Sequence, residues 1–320
     1  MATSTDVAAY AGVSRSTVSQ IFNGHEKLFT PATVEKVRSA AEKLGYRPSL
    51  AGRSLVRGTS DIVITLVPDV TFNTRLRELV DTVTEGLAAA GLTNLLQIAG
   101  RGATLDDAIL GLRPYGLLSL APLAEAQRTR LLGQGVHIIE QSATLQAAID
   151  RAIGRLQAEH LAAAGYDTLA VVLPRDAREE TFGSPRESGA RTYGEEHGLT
   201  VLPTLLVDLD QVAVTEAVKS LPPEPVGIAT YNDEVAMAVL SAATAQGRQV
   251  PESLGLVGVD NSPIARATTP PITTVDYDMQ FSGQEIVRTL LEEAAPIVDE
   301  AGEREVERRL SIVHGGTTRR

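Results

Sequence analysis

Two rhythms of apolar residues divide the chain. Up to Gly45 they fall at spacings of three and four: Val7, Ala8 and Ala11, then Val18 and Ile21, then Val34, Val37, Ala41 and Leu44. Each set is the stripe of a short amphipathic helix. Gly12 separates the first two stripes and can take the positive φ of a tight interhelical turn, while Ser14 can cap the second helix through its side-chain oxygen. Thr30-Pro31 opens the third helix with a hydroxyl cap and a proline at the first helical position, and Gly45 closes it. Three helices closing on one another have little core, so this unit is expected to be marginally stable by itself.

From Asp61 the rhythm changes to continuous apolar runs alternating with helical stretches. Ile62 to Val67, Leu95 to Ile98, Gly116 to Leu120 and Val136 to Ile139 read as strands, with helices over 75–90, 105–112 and 125–132 between them. A long helix over 146–164 leads to a second series: strands Leu169 to Leu173, Leu205 to Val207, Val226 to Ala229 and Leu256 to Val259, with helices over 186–197, 212–220 and 233–246. Thr273 to Val275, a helix over 279–293 and a last strand, Leu310 to Val313, follow. Strands alternating with helices build parallel sheets, and the repetition predicts two α/β subdomains whose strand carboxyl ends face each other across a cleft.

The second helix of the head leaves Arg15, Ser16, Thr17, Ser19 and Gln20 outward. Such a face, following the Ser14 cap, suits the DNA major groove in a helix-turn-helix, although an ordinary helical hairpin has the same pattern. Residues 46–58 interleave Arg47, Arg53 and Arg57 with Leu50, Ala51 and Leu55. This linker either folds against DNA as a short helix with Leu55 wedged in the minor groove, or serves as a flexible basic tether. Gly52 weakens the helical option.

Charge sharpens the division. The chain of 320 residues carries a net charge of −11. Residues 1–58 nevertheless hold eight Lys and Arg against four Asp and Glu, an excess of four positive charges that leaves a net −15 on the rest. A basic head on an acidic body meets a phosphate backbone by one end. There is no cysteine, which excludes disulfides, thiolate nucleophiles and Cys-ligated metals. The start of the chain lacks a basic segment with an apolar run, and no stretch has the roughly 20 apolar residues of a membrane span, so the cytoplasm is the expected location.

Enzymatic signals are weak. Gly100-Arg101-Gly102 follows a strand, but Leu105 stands where a dinucleotide fingerprint needs its third glycine. His25, His137, His160, His197 and His314 make no helical pair, and neither a phosphate-loop lysine nor a nucleophile elbow occurs. No catalytic residue, metal or cofactor is expected. The strand ends carry binding groups instead: Phe182 and Arg186, Tyr231-Asn232-Asp233, and Asp260-Asn261. Arg donates twice, Asp accepts from hydroxyls or amines, and an aromatic ring stacks. Taken singly, Asp233 and Asp260 also suit helix capping and loop hydrogen bonds.

These segments together resemble the LacI/GalR family of bacterial repressors. Asp6-Val7-Ala8, Ala11-Gly12-Val13-Ser14, Thr17-Val18-Ser19 and Asn23 fit its headpiece, and Leu44-Gly45-Tyr46-Arg47-Pro48 fits the junction beyond it. Arg186-Glu187-Ser188-Gly189, Asn232-Asp233, Val257 to Asn261 and Pro271 to Val275 fit its body. The resemblance implies an all-α helix-turn-helix headpiece over 1–47, a hinge over 48–60, and a periplasmic-binding-protein-like core of two parallel-sheet subdomains over 61–320. The core divides into about 61–145 with 276–295 and 146–275 with 296–320. It further implies a homodimer on a palindromic double-stranded DNA operator, read through Ser14, Arg15, Ser16, Thr17, Ser19, Gln20, Asn23, Arg47 and Leu55. A small effector would meet Phe182, Arg186, Tyr231, Asp233 and Asp260 and shift operator affinity as inducer or corepressor. The pocket suits a sugar, a nucleoside or a hydroxy acid. The rivals are a regulator answering to a protein partner and a solute-binding or enzymatic α/β protein with an accessory head. Three positions depart from the family pattern: Gln20 stands where Arg is usual, Gly52 where Ala is usual, and His314 where Arg is common. No heptad tail follows, so a coiled-coil tetramer is not expected.

Overall fold

The computed structural model describes residues 2–22, 25–46, 59–70, 74–99, 105–121, 123–140, 143–292 and 308–319. Asn23, Arg47, Gly52 and Leu55 lie outside them, as does nearly all of the hinge segment.

The head is three helices: α1 (Ser4–Ala11), α2 (Arg15–Phe22) and α3 (Pro31–Lys43). Helix α1 starts earlier than its apolar stripe because Thr3 and Asp6 form a reciprocal box. The Thr3 oxygen accepts the Asp6 N–H at 3.3 Å, and the Asp6 carboxylate accepts the Thr3 N–H at 2.8 Å. Gly12 has φ 63°, and Ser14 Oγ accepts the Thr17 N–H at 3.0 Å, so turn and cap form as their residue types require. Among the described residues, Val7, Ala8, Ala11, Val18, Ile21, Val37, Ala40 and Ala41 make the buried core of this unit.

The first sheet of the body has the order β2-β1-β3-β4, all parallel, from β1 (Ile62–Val67), β2 (Thr93–Ile98), β3 (Gly116–Ser119) and β4 (Ile138–Glu140). Between them run α4 (Thr74–Ala89), α5 (Leu105–Leu112) and α6 (Glu125–Gly133). Helix α7 (Ala143–Ala163) then leads to the second sheet. Its strands are β5 (Thr168–Pro174), β6 (Thr200–Val201), β7 (Leu205–Val207), β8 (Val226–Thr230), β9 (Leu254–Val259), β10 (Thr273–Tyr277) and β11 (Leu310–Val313). They run β11-β10-β9-β8-β5-β6, with β7 also on β5, and only β11 is antiparallel. Helices α8 (Glu180–Glu196), α9 (Gln211–Ser220) and α10 (Asp233–Ala245) complete this half.

After β10 the chain returns to the first half. Helix α11 (Met279–Glu292) puts Val287 and Leu290 into one cluster with Val63, Leu79, Val83, Leu87 and Leu118, before β11 closes the second sheet. Both sheets reverse direction of growth once, between β1 and β3 and between β5 and β8. Such switch points open a crevice beyond the strand carboxyl ends, which is where α/β sheets bind ligands.

Candidate functional site

A cavity of about 170 Å³ lies where the two crevices meet. Pro68 and Val70 after β1, Leu120 after β3, and Arg75, Leu76 and Leu79 of α4 line it from the first half; Glu179, Phe182 and Arg186, Tyr231 after β8, and Val259-Asp260 at the end of β9 line it from the second. Gln146, Ile149, Asp150 and Ile153 of α7 form its floor, and Ser282 and Ile286 of α11 a further wall.

Phe182 and Arg186 are four residues apart on α8 and therefore share a face. Arg186 Nε donates to Asp150 Oδ1 at 2.7 Å, Nη1 donates to the Tyr231 carbonyl at 2.6 Å, and the guanidinium lies 4.7 Å from the Tyr231 ring centre. Two of its five N–H groups are thus used in fixing it where it lines the cavity. Asp150 is fully buried, and Gln146 Nε2 donates to its second oxygen at 2.7 Å. Burial pushes the Asp150 carboxyl up, against Arg186 and Gln146, which favour its ionised form. Burial alone would lower the Arg186 pKa, but the neighbouring Asp150 charge raises it on balance.

Tyr231 donates its hydroxyl to Glu179 Oε2 at 2.7 Å, and burial pushes the phenol pKa up. Asp260 has φ 102° and Asn261 φ 45°, left-handed conformations rare outside glycine. Asp260 N–H donates to the Val275 carbonyl and Asn261 N–H to Thr274 Oγ1, so the strained turn is held to β10. Strain of this kind gathers at binding sites. Burial raises the Asp260 carboxyl to about 6, with Arg186 pulling the other way. Arg178 Nη1 comes within 3.6 Å of Asp69 Oδ1, joining the two halves at the rim, and Arg75 of α4 pairs with Asp276 of β10.

Phe182, Arg186, Tyr231 and Asp260 therefore meet at one cavity, whereas Asp233 does not. It is the first residue of α10, only 1 % exposed, and both its oxygens are engaged: Ser262 N–H donates to one at 2.7 Å and Thr274 Oγ1 to the other at 2.6 Å. Gly258 leaves room for it behind β9. Asp233 pins a loop to a helix start, which corrects its expected place among effector contacts. Gln146, Asp150, Glu179 and Arg75 were missed by sequence reasoning. Asp150 alone left a signal, an acid beside Ile149 on the apolar stripe of a helix.

In the head, Ser14, Arg15, Ser16, Ser19 and Gln20 are exposed and Thr17 is half-buried; Ser16, Ser19 and Gln20 lie on the side of α2 opposite Val18 and Ile21. Ser14 Oγ pairs with Thr17 Oγ1, and Arg15 Nε donates to Ser4 Oγ at 3.3 Å. His160 and His314, distant in sequence, bring their rings 5.2 Å apart. No group of three or more metal-ligating side chains occurs among the described residues, and no helix there is long and apolar enough to cross a membrane.

Residues 3–49 match the model of bacterial regulatory proteins of the lacI family, and residues 158–318 match that of the periplasmic binding protein-like domain. The chain is 28% identical over 314 residues to a ribose operon repressor of Halalkalibacterium halodurans, covering 92% of this chain and 90% of that protein. It shares the fold of a lac repressor dimer bound to operator and the anti-inducer ONPF, at TM-score 0.77 and 21% identity over 100% of this chain and 99% of the other. A complex of the regulator CelR with cellobiose is also similar, at TM-score 0.65 and 23% identity over 99% of this chain and 100% of the other.

Proposed function

The chain belongs to the LacI family of bacterial regulatory proteins, DNA-binding regulators with an effector-binding core that are not enzymes, and from that premise we propose that it is a repressor whose operator affinity is set by a sugar or sugar derivative in the cleft. The observation that carries this is Arg186: two buried partners fix it at a cavity lined by residues of both halves. A ligand there touches both subdomains and so favours one arrangement of them over the other.

Phe182, Arg186, Tyr231 and Asp260 are the proposed effector contacts, joined by Asp150 and Gln146. Ser14, Arg15, Ser16, Thr17, Ser19 and Gln20, with Asn23, Arg47 and Leu55, are the proposed contacts to a palindromic operator, bound as a homodimer. The proposed units are the head over 1–47, the hinge over 48–60 and the two-part core over 61–320. The lac repressor relative was seen as a dimer on operator, and the exposed Leu95, Leu96 and Ile98 on edge strand β2 offer an apolar surface suited to a second copy.

Titration of the protein with sugars tests the reading. A true effector at about 100 times its Kd stabilises the fold by roughly 2.7 kcal/mol, and the same sugar changes the midpoint of operator binding in a gel-shift assay. A protein that binds operator but answers to no metabolite would overturn the effector half of the proposal.

A further inference from the structure

We infer that residues 314–319 form a pH-sensitive strap, held to the second half while His160 is neutral and loosened when His160 takes up a proton. After β11 this segment is tied to β9 and β10. Leu256 N–H donates to the Thr317 carbonyl and Thr317 Oγ1 donates back to the Leu256 carbonyl, both at 2.8 Å. Thr273 N–H donates to Thr317 Oγ1 at 2.8 Å, and Gly316 N–H to the Pro271 carbonyl at 2.6 Å. Arg319 donates to the carbonyls of Gly165 and Glu252 and lies 4.5 Å from the Tyr166 ring centre. The remaining tie is to the last turn of α7, where His160 Nε2 is 3.0 Å from Thr318 Oγ1.

The hydroxyls fix the state of that ring. Gly315 N–H donates to Thr273 Oγ1 at 3.1 Å, and Thr273 Oγ1 is 3.0 Å from Thr318 Oγ1. Thr273 is fully buried and Thr318 nearly so, and among the described residues neither hydroxyl has another partner. Both hydroxyl protons find an acceptor in one arrangement: Thr273 donates to Thr318, and Thr318 donates to the lone pair of a neutral His160. A protonated His160 donates from both nitrogens, which leaves one buried hydroxyl proton without an acceptor. His314 adds to the cost, because its exposed ring is centred 5.2 Å from that of His160 and charges on the two would repel. No carboxylate offsets this among the described residues. Strands β9 and β11 carry no charged residue, Asp276 of β10 pairs with Arg75, Arg155 of α7 pairs with Glu196, and Glu159 is exposed. Burial and His314 together push the His160 pKa below its ordinary value of about 6.5. The strap's contribution is therefore whole above about pH 6.5 and is lost as pH falls through the lowered value. Since the strap ties down α7 and β9, which lead to Asp150 and Asp260, acid loosens the half that carries Arg186.

The test uses the full chain and hydrogen–deuterium exchange read by mass spectrometry at about pH 7.5 and about pH 5.5, with each rate corrected for the intrinsic pH dependence of exchange. Peptides from Leu310 onward should lose protection at the lower pH, while the strands of the first half keep theirs. His160→Gln keeps an acceptor for Thr318 and takes no proton in this range, so its strap should be equally protected at both values. His314→Gln removes one of the two charges, and the loss should shrink. A wild-type strap whose protection is the same at both pH values overturns the inference, as does a folded His160→Gln that loses protection with acid as the wild type does. If His160→Gln does not fold, as judged by circular dichroism, the exposed His314 decides: a loss in His314→Gln as large as that of the wild type overturns the inference, and a smaller one supports it.

Discussion

The carbonyl oxygen of Arg186 lies 1.9 Å from where a side chain at Gly154 would place its Cβ, and the Arg151 carbonyl stands in the same relation to Gly189, at 2.0 Å. Two glycines thus let α7 and α8 cross almost backbone to backbone. That approach brings Arg186 on one helix to Asp150 on the other, so the geometry of the site is set by the absence of two methyl groups.

Gly154→Ala should therefore push the helices apart and weaken the Asp150–Arg186 contact. Overpacking of this kind costs about 1–3 kcal/mol, and here the obstacle is backbone that cannot rotate away. Urea unfolding should show the loss, and calorimetry a fall in effector affinity larger than the change in operator affinity. An alanine accepted with both properties intact would mean that the crossing does not position the site.

Removing one member of the buried pair should cost more than removing both. Arg186→Met strands a carboxylate that is fully buried, and breaking a buried pair in this way costs about 3–5 kcal/mol, whereas an apolar replacement of both partners is near neutral. The double variant Asp150→Leu with Arg186→Met should regain most of the lost stability without regaining the effector response. Additive losses in the double-variant cycle would show that the two side chains do not interact.

Asp260 should make stability depend on pH. Its carboxyl is raised to about 6 in the fold, by burial above all, against about 3.9 in the unfolded chain. Between these values the folded state binds more protons than the unfolded one, so this group's contribution falls as pH rises from 4 to 6, by about 3 kcal/mol in all. Asp260→Asn mimics the protonated form. The variant should match the wild type near pH 4 and exceed it at pH 7.5, as read from urea midpoints, and a difference that is the same at every pH would contradict the assignment.

The head and both sheets were legible in the sequence because their signals are local. Gly12, Ser14 and Thr30-Pro31 specify turns and caps from their own chemistry, and strands such as Val226 to Ala229 are runs buried on both faces. Strand β6 was not legible, since two residues make no pattern. The cavity was half legible. Tyr231 and Asp260 end strands, where a ligand is expected, but Arg75, Gln146 and Glu179 come from segments that meet only through the topology. Asp233 was misread for a different reason: two residues past Tyr231 the chain has already turned into α10, so its carboxylate faces Ser262 and Thr274 rather than the cleft.

Gln20 decides a question about DNA that the fold leaves open. It is exposed on α2, four residues beyond Ser16, and both project from the side away from Val18 and Ile21. Gln forms its paired hydrogen bonds with adenine and Arg with guanine, and each such pair discriminates by about 1–3 kcal/mol. Gln20→Arg should therefore move the preference at one position in each operator half-site from A·T toward G·C, and leave affinity for nonspecific DNA nearly unchanged apart from the gain of a positive charge. Selection from a randomised operator pool, run in parallel for both proteins at one salt concentration, reads the change directly. The same preferred sequence from both pools would remove Gln20 from the base-reading set and put the burden of specificity on Arg15 and Ser16, whose side chains are exposed on the first turn of the same helix.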